Sequence, residues 1–188
     1  MKVSCLLGLL LCLGACSDPE DGLLEFDDIS IGGDFTLTTQ NGEDYTLSEH
    51  DGEVRLLFFG FTHCPDVCPT TLLKLEKVYA KLGDAGKEVR TLFVSIDPER
   101  DTPEILGAYL ASFHIPVTGL SGSVANIEKV IGAYAGWFER VDLDSAAVYT
   151  MDHSTRSYLI DREGKVRYIF SYDDGPERIA YIVRKLLP

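Results

Sequence analysis

The hydrophobic pattern divides most of the chain into short apolar segments with the spacing of strands. Six segments are rich in apolar and β-branched residues: 31–37, 44–47, 54–61, 89–96, 156–160 and 166–170. Two of them, 54–61 and 89–96, are nearly continuous apolar runs, which is typical of strands buried on both faces of a sheet. A turn sequence separates the first two segments, and another separates the last two, so the pattern predicts two β-hairpins.

Helical signals lie between and after these strands. Segment 69–82 carries Leu72, Leu75 and Val78 at helical spacing, which predicts an amphipathic helix. Three further helices are predicted to begin at capping or proline signals: Thr102-Pro103, Ser123 and Gly175-Pro176. Strands that alternate with helices indicate an α/β fold with a central sheet flanked by helices, preceded here by an N-terminal β-hairpin. We expect one such domain over residues 31–188.

The N-terminus has the pattern of an export signal over residues 1–16. Lys2 precedes an apolar run that is too short to cross a bilayer, which needs about 20 residues in a helix. Leu13-Gly14-Ala15-Cys16 resembles a bacterial lipobox. We therefore expect lipidation of Cys16 and an exported, membrane-anchored lipoprotein that faces the periplasm or another extracytoplasmic space. An ordinary cleaved signal and an uncleaved anchor are the alternatives. Residues 17–30 are acidic, and we interpret them as a tether.

Charge and cysteine content narrow the range of partners. The formal net charge of −13 argues against a nucleic-acid partner, because nucleic-acid binding relies on basic patches. Three of the five cysteines lie in the predicted signal, which leaves Cys64 and Cys68 in the exported domain. Disulfides persist after export, but one that closes so short a loop would stabilise the fold little. A local structural disulfide is the alternative to a functional pair.

The two cysteines lie where a buried strand meets an amphipathic helix. Binding sites in open α/β sheets gather beyond the carboxyl ends of strands. Pro65 and Pro69 disfavour the helical conformation for the cysteines that precede them, so we expect a bent loop and a helix that begins near Pro69. Amides at a helix N-terminus lower thiol pKa values, and thiolate is the form that binds metals and exchanges disulfides.

This strand–loop–helix arrangement resembles that of thioredoxin-like proteins, although three residues separate the cysteines here rather than two. In such proteins, a loop before a later apolar strand packs against the active cysteines. The matching loop here carries His153. The cis-proline typical of that loop is missing, since Thr155 stands near its place, and this absence weakens a plain disulfide-exchange interpretation.

Two thiolates and an imidazole suit copper. Soft thiolates favour Cu(I), and the same ligands with a weak oxygen could hold Cu(II). Structural zinc usually takes four protein ligands, and we find no fourth. His63 is the obvious alternative to His153 as a ligand. In an extended chain, however, adjacent side chains point to opposite sides, so His63 would point away from Cys64.

Three motifs together resemble the Sco/SenC family of copper proteins. They are FGFTHCPDVCPTTL from Phe59, SIDPERDTPE over 95–104, and Asp152-His153-Ser154. The resemblance implies a thioredoxin-like fold with a central mixed sheet, and copper bound by Cys64, Cys68 and His153. It also implies a role in building the dinuclear copper centre of cytochrome c oxidase, with the copper-bearing subunit of the oxidase as partner and a thioredoxin-like thiol reductant.

Three functions stay open at this point. We expect a metallochaperone rather than an enzyme, but Cys64 and Cys68 could instead form the redox-active pair of a thiol–disulfide oxidoreductase. A passive exported binding domain is the third alternative. Three carboxylates could surround the metal without binding it: Asp66, Asp97 and Asp152. Segment 97–101 could equally be a turn that leads to the Thr102 cap. We expect Trp137 and Phe138 to pack in the core rather than to form a contact surface.

Overall fold

A computed structural model describes residues 30–143 and 149–188. The strands are β1 (Thr36–Thr39), β2 (Asp44–Thr46), β3 (Val54–Gly60), β4 (Val89–Ser95), β5 (Val117–Ser121), β6 (Phe138–Asp142), β7 (Tyr149–His153), β8 (Ser157–Ile160) and β9 (Val166–Phe170). The helices are α1 (Val67–Leu82), α2 (Pro103–Leu110), α3 (Val124–Ala133) and α4 (Pro176–Arg184). None of the helices in these two ranges is long and apolar enough to span a bilayer.

The main sheet is mixed, as predicted, and runs in the order β2-β1-β5-β4-β3-β8-β9. Strands β3, β4 and β5 are parallel, while β1, β8 and β9 run antiparallel to their neighbours. Both predicted hairpins are confirmed, β1 with β2 and β8 with β9. The expected α/β fold with a central mixed sheet is therefore confirmed.

The two apolar runs form the centre of this sheet. Every residue of β3 is buried, and so is every residue of β4 except the half-buried Arg90. Their parallel register pairs Gly60 with Ser95. Because the carboxyl ends of parallel strands lie at the same edge, the cysteine loop after β3 and the segment 97–101 after β4 emerge side by side.

The first helix begins earlier than predicted. We expected a start near Pro69, whereas α1 begins at Val67 and includes Cys68 in its first turn. The first four amides of a helix have no partner within it, so a proline at the third position removes no hydrogen bond. The other caps are as predicted, since the Thr102 side chain accepts a hydrogen bond from Ile105 N and the Ser123 side chain accepts one from Asn126 N.

A two-stranded ribbon of β6 and β7 was not predicted. Its strands pair with each other and, over the described part of the chain, with no strand of the main sheet. His153 is therefore the last residue of a strand rather than part of a loop. The prediction that Trp137 packs in the core was wrong, because its side chain lies just before β6 and is 54% exposed. The predicted signal at 1–16, Cys16 and nearly all of the tether lie outside the described residues, and the domain boundaries stay predictions.

Candidate metal centre

The two cysteines lie close to each other, and no disulfide joins them in the structure. Cys64 is half-buried in the loop after β3, whereas Cys68 in α1 is 1% exposed. Both are free thiols, and the backbone N–H of Cys68 donates a hydrogen bond to Sγ of Cys64 at 3.4 Å. The N-terminus of α1 thus directs an amide at the more accessible sulfur, as the strand–loop–helix pattern predicts.

Gly60, the last residue of β3, leaves room for the buried sulfur. A Cβ added at Gly60 would lie 2.9 Å from Sγ of Cys68 and 3.0 Å from the Phe93 ring. The helix that carries Cys68 packs this closely on the strand only because residue 60 has no side chain.

The pair shares a proton unevenly. A hydrogen bond from the Cys68 side chain lowers the pKa of Cys64 to about 5, with further help from the amides of Cys68, Asp66 and Val67. The same hydrogen bond and burial raise the pKa of Cys68. At neutral pH the accessible sulfur of Cys64 is therefore a thiolate, and the buried sulfur of Cys68 keeps its proton. The Cys64 thiolate can therefore bind a metal or act as a nucleophile.

His153 presents one ring nitrogen as a ligand. Its Nδ1 lies 2.9 Å from the carbonyl oxygen of Ser154, and since a carbonyl only accepts, Nδ1 carries the proton. The lone pair of Nε2 is then available to a metal. The imidazole also forms a T-shaped contact with the buried Phe61 ring, with centroids 6.1 Å apart. These two contacts fix both the tautomer and the orientation of the ring.

His153 shares a cavity with each of the two cysteines. It lines a cleft of about 240 Å³ together with Cys64, and a much smaller cavity of about 10 Å³ together with Cys68. The thiolate and imidazole donors suit copper. The ligand atoms of these three residues do not all lie within 4.8 Å of each other, however. Within the described ranges, one group of three metal-binding side chains meets that distance, and it consists of other residues. Binding one ion through Cys64, Cys68 and His153 therefore requires their donor atoms to move closer together.

That other group is His63, Asp97 and Asp101, and its carboxylates are already engaged. Asp101 accepts hydrogen bonds from the backbone and hydroxyl of Thr62 at 3.0 and 2.5 Å, and a third from the Ser95 hydroxyl at 2.6 Å. Both carboxylates are buried, with Asp97 3% and Asp101 1% exposed. We interpret this group as a structural brace and not as a second metal site.

The three carboxylates predicted around the metal differ in their positions. Asp66 is exposed, lines the cleft with Cys64 and accepts a hydrogen bond from the Thr70 hydroxyl. Asp152 is exposed and lines the same cleft. Asp97 is buried and faces Tyr149 and Arg100 instead.

Arg100 and Tyr149 link the brace to the ribbon, and it is this pairing that the sequence did not predict. Arg100 donates from Nε to Asp97 at 2.5 Å and from Nη1 to the carbonyl oxygen of Tyr149 at 3.0 Å. The Tyr149 hydroxyl donates to Asp97 at 2.8 Å. The predicted buried strand before Asp97 placed this segment on the correct edge, but no local signal pointed to its partner in β7.

Comparison with known proteins gives a consistent result. The family model described as SCO1/SenC matches residues 25–188. A SCO2-like protein of Rickettsia felis is 38% identical over 181 residues, which cover 95% of this chain and 88% of that protein. The copper-bound structure of ScoI from Bradyrhizobium japonicum is 43% identical with a TM-score of 0.76, and the match covers 84% of this chain and 99% of that chain.

A third relative is BsSco, a member of the Sco family of cytochrome c oxidase assembly proteins in which a disulfide switch was identified. It is 25% identical to this chain with a TM-score of 0.65, and the match covers 84% of this chain and 93% of BsSco.

Proposed function

Because this chain belongs to the SCO1/SenC family, we propose that it is a metallochaperone that delivers copper to the dinuclear copper centre of cytochrome c oxidase. Copper is its cargo, and Cys64, Cys68 and His153 are the ligands. A copper-bound relative is 43% identical to this chain, and another relative belongs to a family of oxidase assembly proteins. Both observations support the proposal.

One observation carries the assignment of the ligands. His153 lines the cavities of both cysteines, and its Nδ1 contact leaves Nε2 as the free donor. Two sulfurs and one imidazole nitrogen suit Cu(I), and Cu(II) would take a further weak oxygen ligand. Three ligands on two separate segments of the chain can be exchanged one at a time for those of an acceptor. Such an arrangement suits a carrier more than a permanent store.

Copper titration of the reduced full chain in detergent tests the ligand set. We expect about one copper per chain, with a thiolate-to-copper absorption band in the Cu(II) form. His153→Ala should lose tight binding, since it removes one of three donors. His63→Ala is the matched control, because His63 adjoins Cys64 but is exposed and lies beside Asp101. Unchanged copper affinity in His153→Ala would reject this site.

A second function is favoured by the uneven pKa values of the thiols. The accessible Cys64 thiolate could attack a disulfide of the oxidase subunit and form a mixed disulfide, with release of one partner thiolate. Cys68 would then displace the second partner thiolate and form a disulfide with Cys64. Two electrons pass to the partner, so a thioredoxin-like dithiol must reduce the pair again. Under this alternative, Cys68→Ser traps the mixed disulfide, and His153→Ala keeps the reductase function.

We further propose that the chain works on the outer side of a membrane, anchored through lipid on Cys16. The sequence of the export signal supports this proposal, and the acidic segment 17–30 would separate the domain from the lipid surface. Metabolic labelling with a fatty-acid analogue tests it directly. Label should appear in the wild-type protein and be absent from Cys16→Ser, whereas equal labelling of both would reject the anchor.

A further inference from the structure

We propose that Arg100 is a positioning residue for copper binding, which holds the β6–β7 ribbon so that His153 faces the two sulfurs. This inference rests on the proposed ligand set. Arg100 does not touch the sulfurs or the imidazole, and its effect passes through Tyr149 at the other end of β7.

The ribbon needs such an attachment because main-chain pairing does not provide one. In residues 30–143 and 149–188, β6 and β7 hydrogen-bond to each other and to no strand of the main sheet. Their register pairs Phe138 with His153 at one end and Asp142 with Tyr149 at the other. The position of the ribbon, and with it the place of His153 relative to the sulfurs, therefore depends on side-chain contacts.

Arg100 makes several of these contacts. Its Nη1 donates to the carbonyl oxygen of Tyr149 at 3.0 Å, and its Cζ lies 3.7 Å from the centroid of the Tyr149 ring. Its Nε donates to Asp97 at 2.5 Å, and Asp97 also accepts the Tyr149 hydroxyl at 2.8 Å. Arg100, Asp97 and Tyr149 therefore form a closed triangle in which each residue contacts the other two. Rotating β7 would break every side that includes Tyr149.

The triangle also reaches the cysteine loop. Cζ of Arg100 lies 5.9 Å from the centroid of the Phe61 ring, and that ring contacts the imidazole of His153. Asp97 is 3% exposed and the Arg100 side chain 20%, so water screens their ion pair weakly. The planar guanidinium donates to two different acceptors and offers a stacking face at once, which a shorter amide cannot do.

Arg140 offers a matched control. Its Cζ lies 3.8 Å from the centroid of the same Tyr149 ring. Its ion pairs, however, are with Glu99 and Asp142, whose side chains are 66% and 81% exposed. Such exposed pairs contribute little. Loss of Arg140 thus removes a cation from the same ring without opening the buried triangle.

The test measures copper affinity by competition, the thiolate-to-copper band and the melting temperature of the reduced full chain. Arg100→Gln and Arg140→Gln are each made in the wild type and in His153→Ala. We expect Arg100→Gln to weaken copper binding by about 10–100-fold, as for other residues that orient metal ligands, and to shift the band towards that of His153→Ala. In the His153→Ala background, Arg100→Gln should cause no further loss of copper affinity, because Arg100 acts through His153. Arg140→Gln should keep wild-type affinity.

A second variant covers the case in which Arg100→Gln does not fold. Tyr149→Phe keeps the ring and the backbone carbonyl and removes only the hydroxyl bond to Asp97, so it should weaken copper binding several-fold in the wild type alone. Equal losses with and without His153 would overturn the inference, as would a lower melting temperature with wild-type affinity and band. If His153→Ala itself binds copper like the wild type, the proposed ligand set fails instead.

Discussion

A single methyl group at Gly60 should disturb the buried sulfur. The Cβ of Gly60→Ala would lie 2.9 Å from Sγ of Cys68 and 3.0 and 3.2 Å from two carbons of the Phe93 ring. Cys68 is 1% exposed and Phe93 0%, so neither can swing into solvent. One of the surrounding elements must move, and α1 is the one that carries the sulfur.

The expected cost follows from this overlap. Forcing an extra carbon into a packed core typically costs about 1–3 kcal/mol. For a chain of this size, each kcal/mol lowers the melting temperature by about 2–4 °C, so we expect a decrease of about 4–8 °C for a cost near 2 kcal/mol. Copper affinity should fall as well, because the displaced atom is a proposed ligand.

Urea unfolding and copper competition on the reduced protein measure both effects. Gly132→Ala is the control, since Gly132 is exposed in α3 and a Cβ there meets no atom within 4 Å. That change should stabilise the protein by about 0.5–1 kcal/mol through helix propensity. If Gly60→Ala unfolds at the same urea concentration as wild type and binds copper equally well, the close packing of α1 on β3 is refuted.

Three further predictions concern single residues. In the copper-free protein, the alkylation rate of Cys64 should be at its plateau at neutral pH and should fall only as the pH drops through about 5, because the thiolate is protonated there. Cys68 should stay unmodified. Loss of Cys64 reactivity already near pH 8 would contradict the lowered pKa. Arg55→Met leaves the buried carbonyls of Leu47 and Asp161 without their donor, so it should lower the free energy of unfolding, measured in urea, by about 1–3 kcal/mol for each carbonyl. A change within error would mean that other groups donate to these carbonyls. Thr102→Ala should cost about 1 kcal/mol in the same assay by removing the cap of α2, whereas Thr102→Ser should cost much less.

Sequence predicted the elements that bury many apolar residues. Strands β3 and β4 are continuous apolar runs because both of their faces are covered, and a short run of this kind between turn signals is typical of a central strand. Strand β5 was missed because it contains Thr118 and Gly119 and is only partly buried. The ribbon was missed for a related reason. The residues of β6 are exposed or half-buried, so no apolar face marks it.

The site residues likewise divide into those that local sequence signals predict and those that only the fold brings together. The cysteine loop follows from local signals, since a buried strand, two prolines and a helix adjoin it. His153 was identified only through resemblance to known proteins, because nothing local distinguishes it from other histidines. The partnership of Arg100 with Tyr149 joins residues 49 positions apart. Charged residues that follow a strand usually indicate an exposed turn, and it is the fold that shows Asp97 and Asp101 to be buried.

The two candidate functions compete for the same two sulfurs. A chain with copper on Cys64 and Cys68 has no free thiolate with which to attack a disulfide, and a chain with these residues in a disulfide has no sulfur donors for copper. An acceptor whose cysteines are oxidised must likewise be reduced before it can take the metal. If one protein performs both steps, the copper-free dithiol must therefore act first. Copper delivery must follow, either from another chain or from the same chain after a thioredoxin-like dithiol has reduced it again. Copper occupancy should then suppress alkylation of Cys64 in proportion, which makes the rate of that reaction a measure of which state is present.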